Sequence, residues 1–299
     1  MVLLVANSLL SARLDALRQS QNPDGGWGYF PGKASWLEPT AYAALALHGE
    51  PASDRAWKLL KSWQMPDGSW RPSEQVKVPS WGTSLCVTLA LARKEFDAPL
   101  RQGVAWLLGT AGVETNWLGI LLMRLHLSKA DRDISLKAWP WVPGDSSWLE
   151  PTVHALIALR QAANAGAIVD KGAGQILTER VRIGEQQIWS VRGRDGGWNY
   201  GSPLALGVEL PSYPETTALA LVGLQGHPNL TPAFGVADAM LVKTPSPLAN
   251  AWLTIARRLH GMAATDITAT PSQDTMLISV EALSAADGNW KLLQAGGHA

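Results

Sequence analysis

The chain alternates between two kinds of helical segment. One kind is amphipathic, and four segments show this pattern clearly: Ser8–Gln21, Asp54–Trp63, Pro99–Gly109 and Gly172–Trp189. The other kind consists mainly of Ala, Leu and Thr with few charges. An amphipathic helix keeps one face in water, whereas a helix that is apolar nearly all round must be covered on several sides. The alternation predicts an outer and an inner layer of helices, with no sheet beyond two short strands.

The apolar segments are copies of one another. The clearest copies are Ser35–Leu47, Ser80–Leu91, Ser147–Leu159 and Ser212–Leu224, and degenerate copies are Asn116–Leu125, Asn250–Leu259 and Asp274–Leu283. Repeated helix pairs cannot bury their apolar faces alone, so they stack on their neighbours. We predict an all-α fold, an α/α toroid in which about six helix pairs close into a ring around an apolar central cavity. Residues 1–299 are expected to form this one domain, and a flat solenoid is the structural alternative.

A second repeated element is a turn that ends in Trp. It occurs as Gln21–Trp27, Gln64–Trp70 and Arg192–Trp198, with a remnant at Asp287–Trp290. Asp-Gly is favoured in turns because Gly adopts positive φ angles. The chain has 15 Trp but only 3 Phe and 4 Tyr, which predicts that Trp closes each repeat. The loops that follow should gather on one rim, and the apolar loop Asn199–Ser212 is expected to be a lid or a contact for a membrane or partner chain.

Charge and cysteine content restrict the possible partners. Lys plus Arg and Asp plus Glu each number 25, so the formal charge is zero and nothing attracts nucleic acid. A single cysteine, Cys86, excludes an intrachain disulfide and a four-thiolate metal site. No stretch reaches the ~18 apolar residues that a membrane span needs. We expect a cytoplasmic protein that contacts a membrane at most peripherally.

The turn Gln-x-x-Asp-Gly-Gly-Trp resembles the QW motif of the superfamily that contains squalene–hopene cyclases and protein prenyltransferase β-subunits. The resemblance extends from about Ser8 to Trp290. It implies a toroid that handles an isoprenoid, either polyprenyl or triterpenoid. The Asp-x-Asp-Asp acid motif of the cyclases is missing, and Ser84 stands where the zinc-binding prenyltransferases carry Asp, two residues before Cys86. These departures leave open whether a terpenoid cyclase or isomerase activity is retained.

The inner segments carry candidate catalytic residues at equivalent positions. Alignment on the final Leu places Glu38, Glu150 and Glu215 together, and it places Tyr42, Cys86, His154 and Leu219 together four residues later. Residues i and i+4 share one helix face. The glutamates and His154 are therefore candidate catalytic groups that protonate a substrate or stabilise a cation. The alternative is that each glutamate only caps its helix and offsets the macrodipole.

Aromatic residues beside the glutamates are candidate ligand contacts. The candidate substrate-binding residues are Trp36, Tyr42, Trp81, Cys86, Trp148 and Tyr213. Aromatic faces stabilise cations, but aromatic burial in the core would explain the same residues. A metal site of Cys86, Glu150 and His154 is a weaker alternative, and we expect no metal and no cofactor.

Three functions follow. The first is an isoprenoid-handling protein with a neutral, apolar small-molecule or lipid ligand, because three glutamates at the mouth would repel a diphosphate. The second is a non-catalytic toroid scaffold or interaction module. The third is a glycan-active toroid, in which two carboxylates oppose each other across a cleft and Trp stacks on sugars.

Overall fold

A computed structural model describes residues 2–114, 121–122, 125, 133–168, 170–205, 208–264, 267 and 270–295. The helices in this part of the chain are α1 (Val2–Ser20), α2 (Leu37–Ala46), α3 (Pro51–Ser62), α4 (Thr83–Ala92), α5 (Ala98–Gly109), α6 (Leu149–Asn164), α7 (Lys171–Ser190), α8 (Pro214–Gly223), α9 (Thr231–Lys243), α10 (Pro247–Leu259) and α11 (Thr275–Ser284). A two-stranded hairpin, β1 (Leu204–Ala205) and β2 (Val208–Glu209), and a 3₁₀ helix (Asn289–Leu293) complete the described elements.

Six helices form a closed inner ring. Each packs on the next in the order α2, α4, α6, α8, α10 and α11, and α11 packs back on α2. Outside the ring, α3 packs on α2, α5 on α4, α7 on α6, α9 on α8, and α1 on α11. The predicted α/α toroid is therefore confirmed, although the described part has five outer α-helices for six inner ones. The copy expected at Asn116–Leu125 lies largely outside the described residues.

The two ends of the chain meet where the ring closes. Arg13 of α1 and Glu281 of α11 form a buried ion pair with 2.6 Å between Nε and Oε2. A buried charge is tolerated only when it is paired. This pair therefore links the first outer helix to the last inner helix.

Four Trp side chains tie the outer helices to the inner ones. Each indole N–H donates to a carbonyl in the last turn of an outer helix, and each backbone N–H donates to a Thr hydroxyl of an inner helix. The indole acceptors are the carbonyls of Leu17, Leu60, Leu107 and Ile188, for Trp27, Trp70, Trp139 and Trp198 respectively. The Thr acceptors are Thr40, Thr83, Thr152 and Thr217 in the same order. All four indoles are buried, so each fills the core and satisfies a carbonyl that the helix end leaves free.

Trp139 is a repeat residue that the turn sequence does not reveal, because no Asp-Gly precedes it. The sequence signal that would have identified Trp139 is the number of residues between it and the threonine that accepts its backbone N–H. Trp27, Trp70 and Trp139 each lie 13 residues before their Thr partner, and Trp198 lies 19 residues before Thr217.

Glycine is required in the turns before Trp27 and Trp70. Gly25 and Gly68 have φ angles of 92° and 90°. A Cβ at Gly68 would also lie 2.5 Å from the carbonyl oxygen of Gln102, in the next outer helix. The turn therefore packs directly on backbone, which explains the Asp-Gly signal.

The loops after the four Trp residues lie on one rim of the ring. In each loop, the carbonyl two residues after Trp accepts an N–H at or just before the start of an inner helix. The pairs are Tyr29 with Thr275, Pro72 with Leu37, Trp141 with Trp81, and Tyr200 with Leu149. The rim at the amino-terminal ends of the inner helices is therefore built by the repeats themselves.

The opposite end of the ring is covered by the segment Asn289–Ala295. The side chain of Asn289 donates to the Ala46 carbonyl at the end of α2. Gln225, just after α8, donates to the Leu293 carbonyl, and Asn164 of α6 donates to that of Ala295. The expected remnant of a Trp turn at Asp287–Trp290 thus leads into a 3₁₀ helix that closes this end. None of the described helices is long and apolar enough to cross a membrane.

We predict that Trp139→Ala destabilises the fold as much as Trp27→Ala does, because both indoles fill the same position. The expected loss is ~3 kcal/mol or more in the free energy of unfolding, measured by urea denaturation. Phe96→Ala is the control, since that ring is 46% exposed and should cost little. A Trp139→Ala variant with the stability of the control would mean that Trp139 is not equivalent to Trp27.

Candidate active site at the rim of the ring

The inward-facing positions of the inner helices form two layers, which are defined by their distance from the N-cap residue of each helix. The N-cap residues of α2, α6, α8, α10 and α11 are Trp36, Trp148, Tyr213, Ser246 and Asp274. The second residue after each N-cap belongs to the upper layer, at the rim. The sixth residue after each N-cap belongs to the lower layer. For α4, the bond from Trp70 to Thr83 sets the register, because Thr83 then corresponds to Thr40 of α2.

The lower layer is a closed floor. Its members are Tyr42, Leu85, His154, Leu219, Trp252 and Val280, and all are buried. Tyr42 Oη lies 2.8 Å from His154 Nε2. The Trp252 ring lies 5.8 Å from that of Tyr42 and 6.0 Å from that of His154. These residues come from α2, α6 and α10, which are not neighbours in the ring, so their side chains meet at its centre. At this level the ring is filled by its own side chains.

The upper layer remains partly accessible to solvent. Its members are Glu38, Trp81, Glu150, Glu215, Leu248 and Met276. Trp81 packs on His154 below it at 5.5 Å and edge-on against Trp141 at 5.0 Å. Beside Trp81 is a cleft of about 300 Å³, lined among others by Tyr29, Trp36, Glu38, Trp81 and Trp141. The accessible part of the ring is therefore an aromatic mouth with carboxyl groups at its edge.

Glu38 is held by a tyrosine of the rim. Tyr29 Oη donates to Glu38 Oε2 at 2.5 Å. Burial raises the pKa of Glu38, the bond from Tyr29 opposes that rise, and the charge of Asp274 adds to it. The pKa of Tyr29 is itself raised, first by burial and then by the Glu38 charge, so Tyr29 stays an O–H donor.

Glu150 differs from Glu38 in its surroundings. Burial raises the pKa of Glu150 from 4.5 to about 8, and the nearby charge of Glu38 adds to the effect. Glu150 keeps some accessible surface, yet protein surrounds it, as expected of a group that faces a concave mouth. Glu38 and Glu150 lie one turn above Tyr42 and His154, whose side chains bond to each other, so the two carboxyl groups lie at the same level of the mouth on inner helices that are separated by α4. Glu150 is a carboxylic acid at neutral pH.

Glu215 has a structural partner. Its Oε1 accepts a 2.5 Å bond from Ser246 Oγ, and Ser246 is the N-cap of α10. Nearby, Tyr213 and Tyr200 lie ring to ring at 5.5 Å. Glu215 therefore links two inner helices, and its charge contributes to the raised pKa of Tyr200.

His154 belongs to the floor of the site. Burial lowers its pKa to about 3, so it is neutral. Burial also raises the pKa of Tyr42 well above its usual value, and therefore Tyr42 stays protonated in the bond to His154. His154 supports the mouth from below and supplies no charge to it.

Cys86 does not share the position of Tyr42 and His154. The register set by Thr83 puts Leu85 there and puts Trp81 at the level of the glutamates. Cys86 is fully buried, and burial raises its thiol pKa. Alignment on the final Leu was wrong by one residue for α4, because this helix starts from a different turn. No three His, Cys, Asp or Glu side chains in the described part of the chain are placed to hold a metal ion, so Cys86, Glu150 and His154 are not brought together as ligands.

The remaining aromatic candidates divide between the cleft and its surroundings. Trp36 and Trp81 line the cleft. Trp148 donates its indole N–H to Asp145 Oδ2 at 3.0 Å, and Tyr213 is 43% exposed. Residues that the sequence reasoning missed are Tyr29, Trp141, Trp252 and Asp274. Their common signal is weak, since the first two lie two residues after a repeat Trp and the last two lie on degenerate copies.

Comparison with solved structures identifies the fold. The type II terpene cyclase MstE from Scytonema, in complex with geranylgeranyl dihydroxybenzoate, superposes with a TM-score of 0.51 at 17% identity, covering 98% of this chain and 100% of that one. An endo-beta-1,4-glucanase from Acetobacter xylinum gives a TM-score of 0.56 at 12% identity, covering 94% and 98%. A protein from Actinoplanes gives 0.52 at 18% identity, covering 93% and 79%.

No protein-family profile and no curated protein matches the chain. At these identities the similarity establishes the scaffold and not the activity. The chain has the α/α toroid fold of the terpenoid cyclase-like proteins, which confirms the predicted resemblance at the level of the fold. A glucanase shares this architecture, so function must be argued from the rim.

The raised pKa of Glu150 predicts a pH-dependent stability. The folded protein holds a proton on Glu150 up to about pH 8, whereas the unfolded chain releases it near 4.5. Stability should therefore be highest below the lower value and fall as the pH rises through this window. Because the mouth is partly solvated, we expect a loss of roughly 2 kcal/mol and not the full linkage.

Glu150→Gln should remove this contribution, giving a variant more stable than the wild type above pH 8 and equal to it in acid. Urea denaturation at several pH values measures the difference. The exposed residue Glu74 supplies the control, and Glu74→Gln should keep the wild-type profile. An unchanged profile in Glu150→Gln would contradict a protonated Glu150.

Proposed function

We propose that this protein binds a neutral isoprenoid, a polyprenyl or triterpenoid lipid, at the rim of the ring and that Glu150 donates a proton to one of its double bonds. The observation that carries the proposal is the aromatic cleft beside Trp81, with Glu38 in its lining and Glu150 at the same level of the ring, where burial raises the pKa of Glu150 to about 8. The fold is shared with a terpene cyclase solved with an isoprenoid-bearing substrate. The proposal also takes residues 1–299 as one toroid domain.

The lining of the cleft suits an apolar ligand without a phosphate. Trp36, Trp81 and Trp141 supply apolar surface, and the residues described around the cleft include Glu38 but no Lys or Arg. A volume of about 300 Å³ is at the small end of ligand pockets. The cleft would therefore hold one end of a polyprenyl chain.

The chemistry follows from the two carboxyl groups at the level of the mouth, Glu150 and Glu38. Glu150 breaks its O–H bond and protonates the alkene, which leaves a carbocation. The faces of Trp81 and Trp141 and the negative charge of Glu38 stabilise that cation. Loss of a proton from a neighbouring carbon to Glu38 gives a rearranged alkene, so the simplest overall reaction is an isomerisation or cyclisation that needs no cofactor.

Exposed apolar side chains around the rim provide a route for such a ligand. Phe30, Val78, Val142 and Tyr200 are each more than 40% exposed and belong to the loops that follow the repeat Trp residues. Apolar surface around a cleft is favourable for peripheral contact with a lipid phase. The hairpin β1–β2 belongs to the same rim, and we propose that it borders the entrance.

A second candidate function is glycan hydrolysis. The observation in its favour is that two carboxyl groups, Glu38 and Glu150, lie at one level of the mouth, since glycosidases use a pair of carboxyl groups. The alternative of a non-catalytic scaffold draws support from the filled floor of the ring.

We predict that geranylgeraniol quenches the Trp fluorescence of the protein, whereas a cello-oligosaccharide does not. Trp81→Ala should weaken binding by about tenfold or more, because it removes a wall of the mouth. Phe96→Ala, on the connection at the far end of α4, is the matched control and should bind normally. Quenching by the oligosaccharide alone would favour the glycan function, and no quenching by either would favour the scaffold.

We further predict that Glu150→Gln binds geranylgeraniol with unchanged affinity but forms no rearranged product. The amide keeps the shape of the side chain and cannot donate an acidic proton. Product analysis by gas chromatography and mass spectrometry of wild type and variant tests this. Equal product from both proteins would remove Glu150 from the mechanism.

A further inference from the structure

The carboxyl groups of Glu38 and Glu150 occupy equivalent repeat positions but differ in their hydrogen bonds. Glu38 accepts the 2.5 Å bond from Tyr29. The pKa of Glu150 responds to burial and to the Glu38 charge, and no hydrogen-bond donor among the described residues contributes to it. The repeat alone would make the two groups alike, so Tyr29 distinguishes them.

The position of Tyr29 is fixed by the repeat. Its backbone lies two residues after Trp27, and its carbonyl accepts the N–H of Thr275 at the start of α11 at 2.9 Å. Its ring packs against Trp36 at 6.2 Å. A hydroxyl anchored in this way donates with little loss of entropy when Glu38 becomes charged.

We infer that Tyr29 is a positioning residue that, through its hydrogen bond to Glu38, makes Glu38 the proton acceptor of the pair and leaves Glu150 as the proton donor. The inference rests on the proposed function. In each turnover a proton leaves Glu150 for the substrate, and another passes from a substrate carbon to Glu38, whose O–H bond forms as the new double bond forms. Both carboxyl groups are partly accessible, so exchange with water returns the site to its starting state.

The other titratable groups around the mouth do not explain why Glu38 accepts the proton and Glu150 donates it. The charge of Asp274, at the start of α11, raises the pKa of Glu38 and therefore acts against this assignment. Tyr42 lies below as a neutral phenol. Tyr200 packs on Tyr213 at the start of α8, and Glu215 of α8 accepts a hydrogen bond from Ser246. The hydrogen bond from Tyr29 favours the charged form of Glu38, since hydrogen bonds to a carboxylate stabilise it.

The test uses the ligand-free protein and does not depend on turnover. Infrared spectroscopy over a pH series follows the carbonyl band of protonated carboxyl groups in Glu38→Gln and Glu150→Gln, each with and without Tyr29→Phe. Each Gln variant reports on the carboxyl group that it retains. We expect Tyr29→Phe to raise the titration midpoint of Glu38 by about one pH unit, a tenfold change in its acid constant. The midpoint of Glu150, measured in the absence of Glu38, should stay in place.

Tyr200→Phe is the matched control, because Tyr200 also lies two residues after a repeat Trp and anchors an inner helix through its carbonyl. It should leave the Glu38 midpoint where it is. A Glu38 midpoint that Tyr29→Phe does not move, or that Tyr200→Phe moves equally, overturns the inference. If the midpoints shift as expected but the protein neither binds nor converts geranylgeraniol, the proposed function fails while the ordering by Tyr29 stands.

Discussion

The hydrogen bonds of the buried Trp residues determine where everything else in the ring lies. An indole N–H bonded to the last turn of an outer helix and a backbone N–H bonded to a Thr of an inner helix fix two helices relative to one another. Trp27 shows the full pattern, with Leu17 on one side and Thr40 on the other. The chain leaving the same Trp then reaches the rim, where the carbonyl of Tyr29 satisfies an amide of α11. Each repeat thus builds one section of the rim that belongs to the neighbouring inner helix.

The candidate site arises where the repeats differ from one another. Six equivalent positions in the lower layer hold residues of different size, and three of them, Tyr42, His154 and Trp252, meet at the centre and close it. One turn higher, three positions are Glu and a fourth is Trp81. A perfectly symmetric ring would carry the same side chain at all six equivalent positions, so it could not combine an acid with a base. The proposed site therefore depends on the departures from the repeat.

The sequence predicted the parts of this architecture that follow from local rules. The spacing of Glu38 and Tyr42, and of Glu150 and His154, placed each pair on one helix face because i and i+4 positions always share a face. The ring was predicted because two kinds of helix alternate. Trp141 and Tyr29 could not be placed, since their roles come from loops whose course is set by contacts between repeats. Cys86 was misplaced because Leu91 lies eight residues after Thr83, whereas Leu47 lies seven residues after Thr40, so alignment on the final Leu shifts α4 by one residue.

The protonation of Glu150 bears on whether the glutamates serve stability. A carboxylate in the first turn of a helix gains roughly 0.3–1 kcal/mol from the macrodipole, but only while it is charged. One pKa unit corresponds to about 1.4 kcal/mol, so a rise from 4.5 to about 8 means that burial outweighs this gain several-fold. Glu150 therefore contributes no charge to its helix at neutral pH, and the macrodipole gains nothing from it. Glu215, which bonds Ser246, retains a structural explanation. Of the roles considered for Glu150, the proposed proton donation at the mouth of the ring is the one that makes use of its neutral form.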